Sequence, residues 1–91
     1  MARVNFTSHL RRYFPDLRDG EEVGGGTVAE VVRELNARHP GLADYLVDES
    51  GALRQHVNVF VEETRVRDRV ALSDPVHDDT RVFILQALSG G

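Results

Sequence analysis

The chain has 91 residues, a formal net charge of −4 and no cysteine, and its eleven Lys/Arg residues are all arginine. This length suits one domain with one small core, and the lack of thiols excludes disulfides, thiolate catalysis and cysteine metal sites. An acidic chain without a membrane-length apolar stretch or a signal peptide is expected to be cytoplasmic, with neither nucleic acid nor membrane as partner. Its acidic excess suits docking onto a basic protein surface.

The first part of the chain predicts two short strands. Residues 3–8 alternate between polar and apolar, which is typical of a half-buried strand, and residues 21–23 resemble a short edge strand. The apolar residues within positions 10–17 recur at roughly helical spacing, which indicates one irregular helical turn. Three glycines follow at positions 24–26, but no Lys-Ser/Thr pair comes after them as in a phosphate-binding loop, so they indicate a flexible turn.

The clearest predicted element is a helix that begins after Thr27. Thr27 and Glu30 have the spacing of a capping box, in which each side chain accepts a hydrogen bond from the other residue's backbone N–H. Pro40 and Gly41 end the helix, and a short apolar turn over residues 42–46 leads into a polar loop. Four apolar residues within the helix form one stripe: Val28, Val31, Val32 and Leu35.

The second half of the chain predicts three more strands. Valines at every second position mark residues 57–61 as a strand, residues 64–69 contain a turn with a short strand, and residues 82–88 form the last strand. The single helix can cover only one face of the sheet that these strands form. We therefore predict an α+β fold over residues 1–88, a mixed sheet with one main helix across one face, followed by a flexible tail over residues 89–91.

The sheet face without a helix is predicted to bind a partner protein. Phe60, Phe83 and Leu85 fall on this uncovered face beside an acidic rim, and uncovered apolar clusters on small proteins often mark interaction sites. In the alternative arrangement the two faces are exchanged, or a loop covers the cluster, and these residues belong to the core. The residues expected to face the helix are Val57, Val59, Val61, Val82, Ile84 and Leu88.

The chain stops at Ser89-Gly90-Gly91, directly after the last predicted strand. Successive glycines pack no side chain, so one interpretation is a frayed end. The other interpretation is a reactive terminus. A free carboxylate is ionised at neutral pH and is a poor electrophile, so a nucleophile attacks it only after a leaving group is attached. With no Cβ beside the carbonyl of Gly91, the tail suits a narrow channel in another protein.

Four segments of the chain resemble one known family. They are Val57-Asn58-Val59-Phe60-Val61, Leu72-Ser73-Asp74, Val82-Phe83-Ile84-Leu85 and Gly90-Gly91. Together with the predicted element order, they resemble the ThiS/MoaD family of ubiquitin-like sulfur carriers over essentially the whole chain. The similarity is greatest to the MoaD-like carriers that supply sulfur to a cysteine synthase in actinobacteria. The family has the beta-grasp fold, and Gln86 stands where some of its members have proline.

The resemblance implies that Gly91 is the working residue. An ATP- and Mg²⁺-dependent enzyme of the ubiquitin-activating type would adenylate its carboxylate, and sulfide or a persulfide from a sulfurtransferase would displace AMP and leave a thiocarboxylate. The sulfur would then pass to a recipient biosynthetic enzyme. Leu88 and Ser89 would line the channel entrance while the uncovered sheet face docks the body. The chain itself would bind no cofactor and no metal.

Three functions other than that of a sulfur carrier are alternatives for this sequence. The four histidines are scattered and have no partner at metal-ligand spacing, so an enzyme with a catalytic site of its own is not expected. The small subunit of molybdopterin synthase is the alternative within the carrier class. A ubiquitin-like protein modifier, conjugated to lysines of other proteins through Gly91, is the alternative from another class.

Overall fold

The computed structural model describes residues 1–86 of the chain and contains eight helices and strands. The strands are β1 (Ala2–Phe6), β2 (Glu21–Val23), β3 (Val57–Val61), β4 (Thr64–Arg65) and β5 (Arg81–Gln86). The helices are α1 (Ser8–Arg11), α2 (Val28–Arg38) and α3 (Leu42–Leu46), and none of them is long and apolar enough to cross a membrane. The predicted domain boundary at residue 88 and the predicted tail over residues 89–91 lie outside the described residues.

The five strands form one mixed sheet in the order β2-β1-β5-β3-β4. Strands β1 and β5 are parallel, and the other neighbouring strands are antiparallel. Because parallel strands run in the same direction, the carboxyl ends of β1 and β5 lie at the same end of the sheet. The predicted α+β architecture, a mixed sheet with one main helix, is confirmed.

The core lies between the sheet and helix α2. Helix α2 contributes its whole predicted stripe, since Val28, Val31, Val32 and Leu35 are all buried, and α3 adds Leu42 and Leu46. The strands contribute alternate residues that are at most 6% exposed: Val4, Phe6, Val57, Val59, Val82 and Ile84. The period of two in the strands and the longer helical period thus direct their apolar residues into one layer.

The turn into α2 is more constrained than the flexible turn that the three glycines predicted. The Thr27 hydroxyl accepts a hydrogen bond from the Glu30 N–H at 3.2 Å, but the Glu30 carboxylate accepts from the Gly26 N–H at 2.7 Å and not from Thr27. The predicted capping box is therefore only half correct. Gly25 has a φ of +133°, and a Cβ on it would lie 3.0 Å from the Glu30 Cβ and the Val31 nitrogen. Only glycine avoids both the strained backbone and this close approach.

The first strand is shorter than predicted. It ends at Phe6, and Ser8, which the alternating pattern placed on the same strand face as Val4, begins helix α1. The chain changes direction after Thr7, whose extended backbone precedes the helix, and this turn leaves Leu10 with no exposed surface. Burying Leu10 stabilises the fold more than a longer, polar strand end would.

Residues 42–46, predicted as a short apolar turn, form helix α3. Asn36 of α2 fixes its first turn, because the Asn36 side-chain oxygen accepts hydrogen bonds from the Gly41 and Ala43 N–H groups at 3.1 and 3.0 Å. Gly41 makes the connection between the two helices with a φ of +96°, a conformation that favours glycine. The apolar side of α3 thereby packs on the core.

The segment between β4 and β5 is also a packed part of the fold. Its carboxylate Asp68 accepts hydrogen bonds from the N–H groups of Val70, Ala71 and Ser73 and from the Ser73 hydroxyl. These bonds, that of the Ser73 hydroxyl above all, lower the pKa of Asp68 to about 2. The segment buries three apolar side chains, each at most 4% exposed: Val66, Leu72 and Val76.

Candidate partner-docking face and tail root

The register between β3 and β5 decides which residues share a face of the sheet. Phe60 lies opposite Phe83, and Asn58 lies opposite Leu85. Residues that are paired across strands point to the same side, so both aromatic rings lie on the face away from the core. Phe60 and Phe83 are half-buried, and Leu85 is 38% exposed. The predicted assignment of these three residues to the uncovered face is confirmed.

The opposite face of the same two strands contains the core residues. Val57, Val59 and Val82 have no exposed surface and Ile84 is 1% exposed, as the alternating pattern predicted. Val61, at the end of β3, is only partly buried and packs against the edge of the core. Leu88, the remaining residue predicted to face the helix, lies outside the described residues.

We define the sheet-face patch as Asn5, Asn58, Phe60, Arg65, Phe83 and Leu85. Four of these residues form one row across four strands, because Asn5 lies opposite Phe83 and Phe60 lies opposite both Phe83 and Arg65. The Arg65 guanidinium carbon lies 5.7 Å from the centroid of the Phe60 ring, a distance typical of a cation–π contact. The aromatic pair is therefore bordered by a cation on one side and an amide on the other.

The charged residues beside the sheet-face patch have both signs. In the adjoining row, Arg3 lies opposite both Arg81 and Glu22. The Glu62 carboxylate accepts hydrogen bonds from the Arg81 N–H at 2.7 Å and from the Arg81 Nε at 3.1 Å. The backbone contact, followed by the side-chain contact, lowers the pKa of Glu62 below its ordinary value. The prediction of an acidic rim on this face is therefore wrong, because both arginines and glutamates border the patch. The net charge of a chain does not show on which face of a strand each charged residue lies.

The described part of the chain stops at Gln86, at the end of the sheet where the parallel strands β1 and β5 also end. Gln86, the last described residue, lies opposite Val57, and the Thr7 N–H donates a hydrogen bond to the Ile84 carbonyl oxygen at 3.3 Å. The last described residues thus belong to a central strand that is bonded on both sides. The predicted tail and channel residues Leu88, Ser89, Gly90 and Gly91 lie outside the described residues, and their roles stay predictions.

Among the described residues, no group of three or more His, Asp or Glu side chains is placed to hold a metal ion. His39 has a structural contact, because its Nε2 lies 3.1 and 3.2 Å from the two Glu21 carboxylate oxygens and joins α2 to β2. His9 packs its ring edge-on against Tyr13. These contacts explain two of the four histidines without a catalytic role.

Arg65 is the charged residue of the sheet-face patch, and the sequence did not predict it there. Its strand, β4, is only two residues long, and a polar pair carries no alternation that would reveal its partner strand. The pairing of Phe60 with Arg65 follows from the tight connection between β3 and β4. That short connection, at Glu62 and Glu63, is the signal from which a hairpin could have been inferred.

The fold, together with the central position of the last described strand, defines a class of protein. A five-stranded mixed sheet, one eleven-residue helix across one face, and a central last strand that leads toward Gly90-Gly91 are the features of a beta-grasp, ubiquitin-like protein. The chain belongs to the ThiS family, whose family model matches residues 6–91. The family predicted from the sequence is thereby confirmed.

Known relatives agree with this assignment. The sulfur carrier protein CysO of Mycobacterium tuberculosis is 35% identical over 69 residues, which are 74% of this chain and 74% of CysO. In the crystal structure of the Amycolatopsis orientalis BexX/CysO complex, a chain matches with a TM-score of 0.85 and 31% identity over 100% of both chains. The crystal structure of M. tuberculosis CysO, an antigen, matches with a TM-score of 0.83 and 28% identity over 97% of this chain and 100% of that one.

Proposed function

We propose that this chain is a sulfur carrier protein that supplies sulfur for the biosynthesis of cysteine or another sulfur metabolite. One observation carries the proposal. The match to the ThiS family model runs to residue 91, so that it includes the terminal Gly90-Gly91 pair as well as the folded body. The sulfur carrier CysO, at 35% identity, supports the same function.

The chemistry is proposed to occur at the Gly91 carboxyl group. A carboxylate oxygen attacks the α-phosphorus of ATP, pyrophosphate leaves, and an acyl adenylate forms, with Mg²⁺ neutralising the phosphate charge in the activating enzyme. Hydrosulfide then attacks the acyl carbon, AMP leaves and the thiol proton is lost to solvent. The product is a thiocarboxylate. A persulfide donor would require a second thiol to cleave the remaining S–S bond, and this sequence has no cysteine to supply it.

The chain is proposed to act as a substrate of other enzymes and not as an enzyme. Its sequence contains no cysteine, and its described residues bring together no metal-ligating cluster. ATP and Mg²⁺ are accordingly assigned to the activating enzyme, with no cofactor and no metal held by the chain itself. A cytoplasmic location fits these partners and remains part of the proposal.

Three partners are proposed: an ATP-dependent activating enzyme, a sulfurtransferase or other sulfide source, and a recipient enzyme. The sheet-face patch is the proposed docking surface, with Leu88 beside it at the channel entrance. Gln86 lies on the same central strand as Phe83 and Leu85 of the patch, and five further residues span at most about 18 Å, so a docked partner receives the tail nearby. The Amycolatopsis CysO is found in complex with BexX, and we propose an assembly of this kind for the present chain.

Intact-mass measurement of the protein isolated from its own cells tests the proposal. A carrier is expected as free protein whose mass reflects one sulfur in place of one oxygen. A protein modifier would instead give heavier adducts with Gly91 in isopeptide linkage. A subunit of molybdopterin synthase would copurify with the large subunit of that enzyme.

Two changes at the terminus sharpen the test. Deleting Gly91, or adding one residue after it, is expected to abolish sulfur loading while leaving the melting temperature unchanged, because the reacting carbonyl is removed or displaced. The control is Arg33→Gln, an exposed change on helix α2, which is expected to load like the wild type. Loading that survives either terminal change contradicts the assignment of Gly91.

A further inference from the structure

We infer that Arg65 is a specificity-determining residue of the sheet-face patch, and that the surface of the activating enzyme that covers this patch is acidic there. The inference rests on the proposed function, because it assumes that the patch docks the activating enzyme. It reverses the expectation from composition, since a net charge of −4 favours a basic partner surface.

The position of Arg65 is fixed by the sheet and by an aromatic ring. Strand β4 pairs Arg65 directly with Phe60, and the guanidinium carbon lies 5.7 Å from the Phe60 ring centroid. Arg65 itself is exposed. A cation above a ring face is attracted by the ring's negative face, so the guanidinium is held over the patch and not extended freely into solvent. The charge is thereby placed next to the apolar group that a partner would cover.

No carboxylate of the described chain neutralises Arg65. The ion pairs among residues 1–86 are Met1 with Asp78, Arg11 with Asp19, Arg38 and His39 with Glu21, and Arg81 with Glu62. Glu62 is therefore already paired with Arg81 through both of its carboxylate oxygens. Arg3, the neighbour of Arg81 on strand β1, lies opposite Glu22. The charge directly beside the aromatic pair is positive, and no carboxylate within residues 1–86 forms an ion pair with it.

A partner that covers the aromatic pair must also accommodate this cation. A carboxylate opposite Arg65 would form a charge-assisted hydrogen bond as water is removed, and the planar guanidinium can bind both carboxylate oxygens. A lysine or arginine at the same position would place like charges together in a partly desolvated contact, which is strongly unfavourable. The charge of Arg65 thus favours a partner surface with a carboxylate at this position over one with a lysine or an arginine there.

The test compares four variants in steady-state loading by the purified activating enzyme that converts the wild-type chain to its thiocarboxylate. Arg65→Glu is expected to raise the KM for the carrier about tenfold or more with little change in kcat, since it reverses a close charge pair at the interface but leaves Gly91 unchanged. Arg65→Lys is expected to give a KM between those of the wild type and Arg65→Glu, because it keeps the charge but loses the planar guanidinium that can bind both carboxylate oxygens. Glu22→Arg, on the same face, is expected to leave the KM unchanged or lower it.

Arg33→Glu is the matched control, because it makes the same change in net charge on the exposed side of helix α2. Its KM is expected to equal that of the wild type. If Arg65→Glu also has the wild-type KM, or a lower one, the inference is overturned while the sulfur carrier function stands. If no activating enzyme converts the wild-type chain to a thiocarboxylate, the proposed function fails and the inference fails with it.

Discussion

Asp68 couples the protonation of one carboxyl group to the stability of the fold. Hydrogen bonds from the Ser73 hydroxyl and then from the Ala71 N–H outweigh the effect of desolvation and lower its pKa from 3.8 to about 2. Because the folded-state pKa lies below the unfolded one, the ionised carboxylate stabilises the fold fully above the ordinary pKa of 3.8. This contribution is lost as the pH falls from there through about 2.

We therefore expect Asp68→Asn to lower the melting temperature at neutral pH. The difference from the wild type should shrink as the pH falls from 3.8 through about 2 and become small only below about 2, because both proteins then carry an uncharged group at position 68. Thermal unfolding followed by circular dichroism over this pH range measures it. Asp16→Asn, at an exposed aspartate, is the control. A difference that does not change with pH would indicate lost hydrogen-bond geometry and not lost charge.

The turn between β2 and α2 shows how one element depends on the neighbouring one. Gly25 combines a φ of +133° with a 3.0 Å approach of its missing Cβ to the Glu30 Cβ and the Val31 nitrogen. Gly24, next to it, has no atom within 4 Å of the corresponding position and no left-handed φ. The two glycines therefore form a matched pair for substitution: they differ in backbone strain and in the room available for a Cβ atom.

Gly25→Ala is expected to destabilise the protein by about 1–3 kcal/mol, the typical cost of holding a residue with a side chain in a strained backbone conformation. Gly24→Ala is expected to leave the stability unchanged or to raise it slightly, since alanine reduces the entropy of the unfolded chain. Urea denaturation of both variants measures the free energy of unfolding. Equal effects at the two positions would mean that the helix start shifts to relieve the contact.

The elements that could be predicted from the sequence are those with a regular apolar period. The stripe of α2 and the alternation of β3 and β5 are each long enough to identify the element and its buried face, and they also place Phe60 and Phe83 on the uncovered face. A short strand was predicted within residues 64–69, but its bounds at Thr64–Arg65, its pairing with β3 and the packing of Val66 and Leu72 could not be predicted, because no regular apolar period marks them. Arg65 was missed for the same reason.

In the whole molecule, the core face of the sheet stabilises the fold, and the other face is the one for which we propose partner docking. The face toward α2 holds the valines and isoleucine whose burial stabilises the fold, and the other face presents the aromatic pair on the same strands. Because strand residues alternate, adjacent positions such as Val59 and Phe60 belong to different tasks. A small carrier can in this way present a large share of its sheet to partners without exposing its core.

This division predicts that stability and docking can be lost independently. Val59→Ala and Val32→Ala, which trim side chains that are at most 6% exposed, are expected to cost about 1–3 kcal/mol of unfolding free energy. Their docking at temperatures where they remain folded should equal that of the wild type. Calorimetric unfolding and sulfur loading of the same samples measure the two properties.

The complementary variants are Phe60→Ala and Phe83→Asp on the half-buried outer face. Each is expected to weaken docking to the activating enzyme, because it removes an aromatic anchor from the centre of the patch. Their unfolding free energy should fall by less than about 1 kcal/mol, since less apolar surface is withdrawn from water than at a core position. A loss of stability as large as that of Val59→Ala, with docking unchanged, would show that the aromatic pair supports the sheet and that the partner binds elsewhere.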